Sequence, residues 1–91
     1  MARTSASTEA MDRMIRNLQR FMSNQQSLIN ALRSDYAAVG NEWNDIKYRQ
    51  LGEVLNQGVR SVSQSSEALN QCIPKLRALK EALEQYLNSQ I

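Results

Sequence analysis

Large apolar residues recur along this chain in steps of three and four. Met11, Met14, Leu18, Phe21, Gln25, Leu28, Leu32, Asp35 and Val39 make one such row. It reads as an a/d heptad seam with Gln25 and Asp35 as its polar breaks. Ile15, Met22, Ile29 and Tyr36 form a second row beside it, one residue in every seven. After a short interruption the period restarts. Tyr48, Leu55, Val62, Leu69, Leu76 and Leu83 lie seven apart, accompanied by Leu51, Gly58, Ser65, Cys72, Leu79 and Tyr86 and flanked by Val59, Ile73 and Leu87. A two-stranded coil needs only two such positions per heptad. A stripe three positions wide packs against more than one neighbour.

The interruption is Val39 to Tyr48, which holds Gly40, Asn41, Trp43 and Asp45. Gly40 tolerates the left-handed backbone of a helix C-cap. Asp45 can cap the N-terminus of a following helix. The pattern predicts an all-α fold, an antiparallel two-helix hairpin. A disordered stretch at 1–7 precedes a single domain at 8–91, with helices at about 8–39 and 45–89 and a turn at about 40–44. Ser7 or Thr8 is placed to cap the first helix. The Trp43 ring is expected over the hairpin mouth, against Val39 and Leu51, as a turn lock or with one edge left for a partner. Two segments suit a helix poorly, the serine-rich Ser61–Ser66 and the neighbourhood of Pro74. A break at either gives three helices. The heptad phase continues through both, which favours one long helix kinked at Pro74, where the ring crowds the carbonyl of Asn70.

With the turn at 40–43, Leu32 falls opposite Leu51, Phe21 opposite Val62 and Met11 opposite Cys72. The small residues Gly58, Ser65 and Cys72 then allow close helix approach, with Met14, Phe21 and Met22 filling the space from across. At about 1.5 Å per residue the helices span ~48 and ~67 Å, so the second overhangs the first. Leu76, Leu79, Leu83, Tyr86 and Leu87 are left uncovered, which marks them as an interface. The expected partner is a second copy or another small helical hairpin, and two hairpins make a four-helix bundle.

Composition narrows the function. Eleven basic and nine acidic residues are interspersed, for a net charge of +2, without the basic block of a nucleic-acid arm. Histidine is absent and Cys72 is the single cysteine, which removes the usual general base and any paired-thiol or zinc cluster. No phosphate-cradling glycine loop is present. The carboxylates sit on polar faces and at helix starts, and Asp35 is placed for a local ion pair with Lys47 or Arg49. The reading is of a protein without catalytic, metal or cofactor site, acting by binding. The N-terminus has no signal-peptide core and no run suits a membrane span. The chain reads as soluble, either cytoplasmic or secreted without a cleavable signal peptide.

The turn resembles that of the WXG family, small helical hairpins that are substrates of type VII secretion. Trp43-Asn44-Asp45 stands at the place of the family's Trp-x-Gly, followed by Lys47 and, at the eighth place, Leu51. Asp45 replaces the motif glycine, and Lys47 replaces a small residue. Tyr86 and Gln90 stand where the family tends to carry a Tyr-x-x-x-Asp/Glu export signal, with Gln90 in place of the acid. The resemblance covers nearly the whole chain in layout and about nine residues in motif. It implies dimerisation into a four-helix bundle without enzymatic activity, and export alone or with a partner that carries the signal. Two further readings stand beside it: a cytoplasmic helical adaptor or secretion chaperone, and a filament-forming subunit.

Overall fold

The computed structural model of the chain describes residues 5–89. Among them the fold is all-α, a helical hairpin. Helix α1 spans Ala6–Glu42, α2 spans Ile46–Asn70 and α3 spans Cys72–Asn88. The molecule is a rod of 71 × 17 × 13 Å with a radius of gyration of 20.6 Å. A compact globule of this length would have a radius of about 12 Å. A rod only two helices wide leaves every residue at most one neighbouring element, so each helix keeps an uncovered side.

Helix α1 starts one turn earlier than its apolar period. Ser5 is the N-cap, and its Oγ accepts the backbone N–H of Thr8 at 3.2 Å, while Thr8 Oγ1 accepts the backbone N–H of Ser5 at 2.9 Å. This reciprocal box satisfies two donors that a helix start leaves orphaned. The cap is therefore Ser5 rather than Ser7 or Thr8. Of the stretch 1–7 expected to be disordered, Ser5 to Ser7 form the cap and first turn; residues 1–4 lie outside the described residues.

The other end of α1 also runs past its expected limit. Gly40 has no positive φ and lies inside the helix. The helix ends at Trp43, whose extended backbone turns the chain. Only Trp43, Asn44 and Asp45 separate α1 from α2. Asp45 caps α2 as expected, its Oδ1 accepting the N–H of Tyr48 at 3.0 Å. Pro74 lacks the N–H that would bond Asn70, and the helix is interrupted nearby at Gln71 alone. Gln71 keeps a helical backbone, so α3 continues α2 with a bend. Ser61–Ser66 is unbroken helix.

Which row closes the hairpin differs from the expectation. The buried aliphatic residues are Ile15 and Ile29 on α1, Val59 on α2 and Ile73 on α3. Thr8 is on the same sevenfold row and is 1% exposed. The secondary row at every seventh residue is thus the intramolecular seam. The longer a/d row faces sideways and remains largely open. The later turn shifts the register as well. Tyr36 lies against Gly52, and Lys80 Nζ pairs with Asp12 Oδ1 at 2.9 Å. The expected pairings of Leu32 with Leu51, Phe21 with Val62 and Met11 with Cys72 are replaced by this register.

The shift also shortens the overhang. The α1 side reaches α3 near Lys80, so Leu76, Leu83 and Leu87 are half-buried within the hairpin. Leu79 and Tyr86 remain exposed. The uncovered apolar surface is a face along the whole rod, not a protruding end.

Candidate functional site

The hairpin mouth is held by two tyrosines, one from each side of the turn. The rings of Tyr36 and Tyr48 stack with centroids 4.2 Å apart and planes 7° from parallel. Tyr36 Oη donates to the carbonyl of Tyr48 at 2.9 Å, and Tyr48 Oη donates to the carbonyl of Tyr36 at 2.7 Å. A carbonyl inside a helix has a second lone pair free for such a bond, provided a donor can reach it. The glycine four residues on makes that approach possible. A Cβ on Gly40 would lie 2.6 Å from Tyr48 Cζ, and one on Gly52 would lie 2.7 Å from Tyr36 Cζ. Each helix thus brings a Tyr-x-x-x-Gly unit, Tyr36 with Gly40 and Tyr48 with Gly52, and the two interlock antiparallel. Gly40 serves this contact rather than a cap. Burial and the contact with Tyr48 raise the Tyr36 pKa above its ordinary value, with a smaller contribution from Glu53.

Trp43 does not close the mouth. It is 65% exposed, and its expected neighbours Val39 and Leu51 are exposed with it. Because α1 continues to Glu42, Trp43 lies in the turn itself. Asp45 beneath it has a lowered pKa, chiefly from the Tyr48 N–H it accepts and then from the Trp43 side chain.

The open face starts beside this lock and runs along the rod. Near the turn, Val39 and Leu51 flank a shallow hollow that also holds Asp35. Next comes an apolar hollow of about 400 Å³ between Leu28, Leu32, Val54, Leu55 and Val62, with Gly58 in its wall. Toward the termini, Met14, Leu18, Phe21 and Leu69 line a third, of about 360 Å³. Leu28 is 66% and Phe21 48% exposed, large fractions for such side chains. Gly58 belongs to this face and has no neighbour within 4 Å of where a Cβ would be. It is not packed from across by Met14, Phe21 or Met22. A glycine in a helix interior costs about 1 kcal/mol relative to alanine, and nothing inside the hairpin requires it here. Asp35 makes no ion pair with Lys47 or Arg49 among the described residues; it is exposed on the open face.

The opposite face is polar. Asp12, Arg16, Gln19, Arg77, Lys80 and Glu84 line it toward the termini. Lys80 bridges Asp12 and, at 3.6 Å, Glu84, and the Asp12 contact raises its pKa. The hairpin therefore has a charged side and an apolar side separated by its buried seam.

Of the proposed interface residues, Leu79 and Tyr86 lie exposed and Leu76, Leu83 and Leu87 are half-buried. Gln90 lies outside the described residues. Among the described residues no group of three metal-ligating side chains comes together, and no helix is long and apolar enough to cross a membrane. What the geometry offers is an uncovered apolar surface along one side of the rod. The Tyr-x-x-x-Gly repeat was the readable signal for the mouth that the heptad analysis passes over. Comparison with protein-family profiles, characterised proteins and solved structures finds no match to this chain.

Proposed function

We propose that this chain is a non-enzymatic hairpin of the WXG type, exported or co-exported by a type VII-like system, whose open face binds another helical hairpin to form a four-helix bundle. The observation that carries the binding part is the placement of the strongest heptad row. Met14, Phe21, Leu28, Leu32, Leu51, Val62 and Leu69 follow the period of a helix seam yet are exposed. Apolar periodicity of this length is a packing pattern, and the hairpin covers these side chains only in part. The surface area agrees. The chain exposes 7105 Å², against about 5,400 Å² for a compact monomer of its mass. The excess is large enough for a standard interface of about 800 Å² per partner.

The secretion part rests on the turn. Trp43, the three-residue connection and the hairpin layout are those of the resemblance, and Asp45 performs by its side chain the capping that allows a tight turn. The test uses cells of the source organism, with antibody detection of the chain in culture fluid and pellet. The reading expects unprocessed protein in the fluid, and retention in the cells for a Leu28→Asp, Val54→Asp variant that spoils the open face. Wild-type protein confined to the pellet overturns export and favours an adaptor or chaperone. Normal export of the double variant, with its associations intact, overturns the role of the face.

A further inference from the structure

The seam between the helices has one layer unlike its neighbours. Tyr36 lies against Gly52. Steps of seven residues from that pair, in opposite directions along the two helices, set Ile29 level with Val59, Met22 with Ser66 and Ile15 with Ile73. Ile15, Ile29, Val59 and Ile73 are buried, so the layers on both sides of Met22 and Ser66 are closed and aliphatic. The Met22–Ser66 layer is open. Both residues line a hollow of about 270 Å³ between α1 and α2, and Ser66 Oγ is covered without a hydrogen-bond partner. We propose that Met22 is an oxidation site: its thioether takes one oxygen atom from a hydroperoxide, and the sulfoxide oxygen accepts the hydrogen bond that the Ser66 hydroxyl lacks. The modification then completes the seam instead of opening it. It goes beyond the reading of the open face as a binding face and is independent of it.

The chemistry balances with the hydroperoxide as oxidant. A lone pair of the Met22 sulfur attacks the terminal peroxide oxygen, the O–O bond breaks and an S–O bond forms. The proton on the transferred oxygen passes to the departing one, which leaves as water or an alcohol. Sulfur is oxidised and the peroxide reduced by the same electron pair. A thioether sulfur is a weak acceptor, whereas the sulfoxide is polar and brings an oxygen that needs a donor. That need is why sulfoxide formation ordinarily disrupts a core. At this layer a donor without a partner already lines the same hollow.

Access and room favour the reaction. Met22 is half-buried, and the exposed Gln26, Ser63 and Glu67 rim the hollow, which leaves a way in for a small peroxide. A water molecule takes a share of about 30 Å³ in the liquid, and one added oxygen needs no more than that. Gln26 does not serve the hydroxyl, because its Nε2 donates to Asn30 Oδ1 at 3.1 Å. Gln25 is half-buried and lines the same hollow, so it is the side chain that competes for the sulfoxide. Met14 is a contrast: it is 47% exposed on the open face, in a hollow without a buried unpartnered hydroxyl among the described residues.

The test uses the full chain carrying Met11→Leu, Met14→Leu and Cys72→Ser, which removes the other described sulfur atoms at nearly constant volume. The folded protein is treated with hydrogen peroxide, peptide mass mapping locates the added oxygen, and urea midpoints are read before and after. Oxygen is expected on Met22, with a midpoint at least equal to that of the reduced chain. When Ser66→Ala is added, oxidation of Met22 should lower the midpoint by about 0.5 M or more, the loss expected of a buried polar group without a partner. An equal fall with and without Ser66 overturns the contact. An unchanged midpoint in both assigns the oxygen to Gln25 or water and overturns Ser66 as its partner. Met22 that resists peroxide in the folded chain and reacts only in urea overturns the site. Met22→Leu in the same background should show no shift, and a shift equal to that of the Met22 chain would place the effect outside the seam and overturn the proposal.

Discussion

Tyr36 and Tyr48 each give a hydroxyl proton to the backbone carbonyl of the other, at 2.9 and 2.7 Å, with their rings stacked between the helices. The pair locks α1 to α2 from the inside of the mouth. Trp43 is not part of this pair and is 65% exposed at the tip of the rod. The lock needs both glycines, because each ring lies where a Cβ would be.

The three glycines should therefore respond oppositely to alanine. Gly40→Ala and Gly52→Ala force a tyrosine ring aside, an overpacking cost of about 1–3 kcal/mol. That outweighs the gain of about 1 kcal/mol in helix propensity. Gly58→Ala meets open space, so the propensity gain stands alone and the isolated hairpin becomes more stable. Urea unfolding midpoints at concentrations below association measure all three. A higher midpoint for Gly52→Ala would show that the ring does not need the space.

The pH dependence follows from two groups. Tyr36 has a raised pKa in the fold, first from burial and then from its contact with Tyr48. The folded state holds the proton more tightly, so this stabilisation is complete below the ordinary tyrosine value of about 10. It is lost as the pH rises through the higher folded value. Asp45 has a lowered pKa, from the Tyr48 N–H first. Its contribution is complete above the ordinary aspartate value of about 3.9 and is lost as the pH falls through the folded value. Thermal melts across the pH range should decline at both extremes. Tyr36→Phe should flatten the alkaline decline and Asp45→Asn the acid one. An unchanged alkaline limb in Tyr36→Phe would place the alkaline transition elsewhere.

Asp45 also offers a graded test of the turn. Its side chain accepts the Tyr48 N–H at 3.0 Å, and losing an N-cap to alanine costs about 1 kcal/mol, to glycine only a few tenths. Asp45→Gly, which recreates Trp-x-Gly, should fold with nearly wild-type stability, and Asp45→Ala should be measurably weaker. Equal destabilisation by the two would mean that the carboxylate does more than cap.

The helices, the hairpin and the Asp45 cap were legible because each depends on local chemistry: a sevenfold apolar period, an Asp ahead of a helix, a helix-breaking cluster between two runs. The choice of seam was not. Ile15, Met22 and Ile29 lie one position from Met14, Phe21 and Leu28, and both rows are apolar enough to close a hairpin. Turn placement decides between them, and that depended on Gly40. Glycine at a helix end and glycine beneath an aromatic ring look alike in sequence. Only the matching Tyr36–Gly40 and Tyr48–Gly52 spacings distinguish them, and those spacings acquire meaning when the two units face each other. Uncovered apolar surface was anticipated, but it was assigned to an overhang because the turn was set two residues early.

Ser66 supplies the last test. It sits in the intramolecular seam, on the row of Val59 and Ile73, and its Oγ is buried without a hydrogen-bond partner. A buried hydroxyl left unsatisfied costs about 1–3 kcal/mol. Ser66→Ala removes that cost and keeps the small volume the seam requires opposite Met22. Alanine also gains helix propensity, so the comparison needs a control. Ser63 lies on the same helix and is exposed, and Ser63→Ala carries the propensity gain without the buried hydroxyl. Ser66→Ala is expected to stabilise the hairpin by about 1 kcal/mol more than Ser63→Ala does, read as a difference in urea midpoint at constant slope. Equal gains would mean that water reaches the hydroxyl through the hollow beside Met22 and Glu67, and that the seam is wet at its centre.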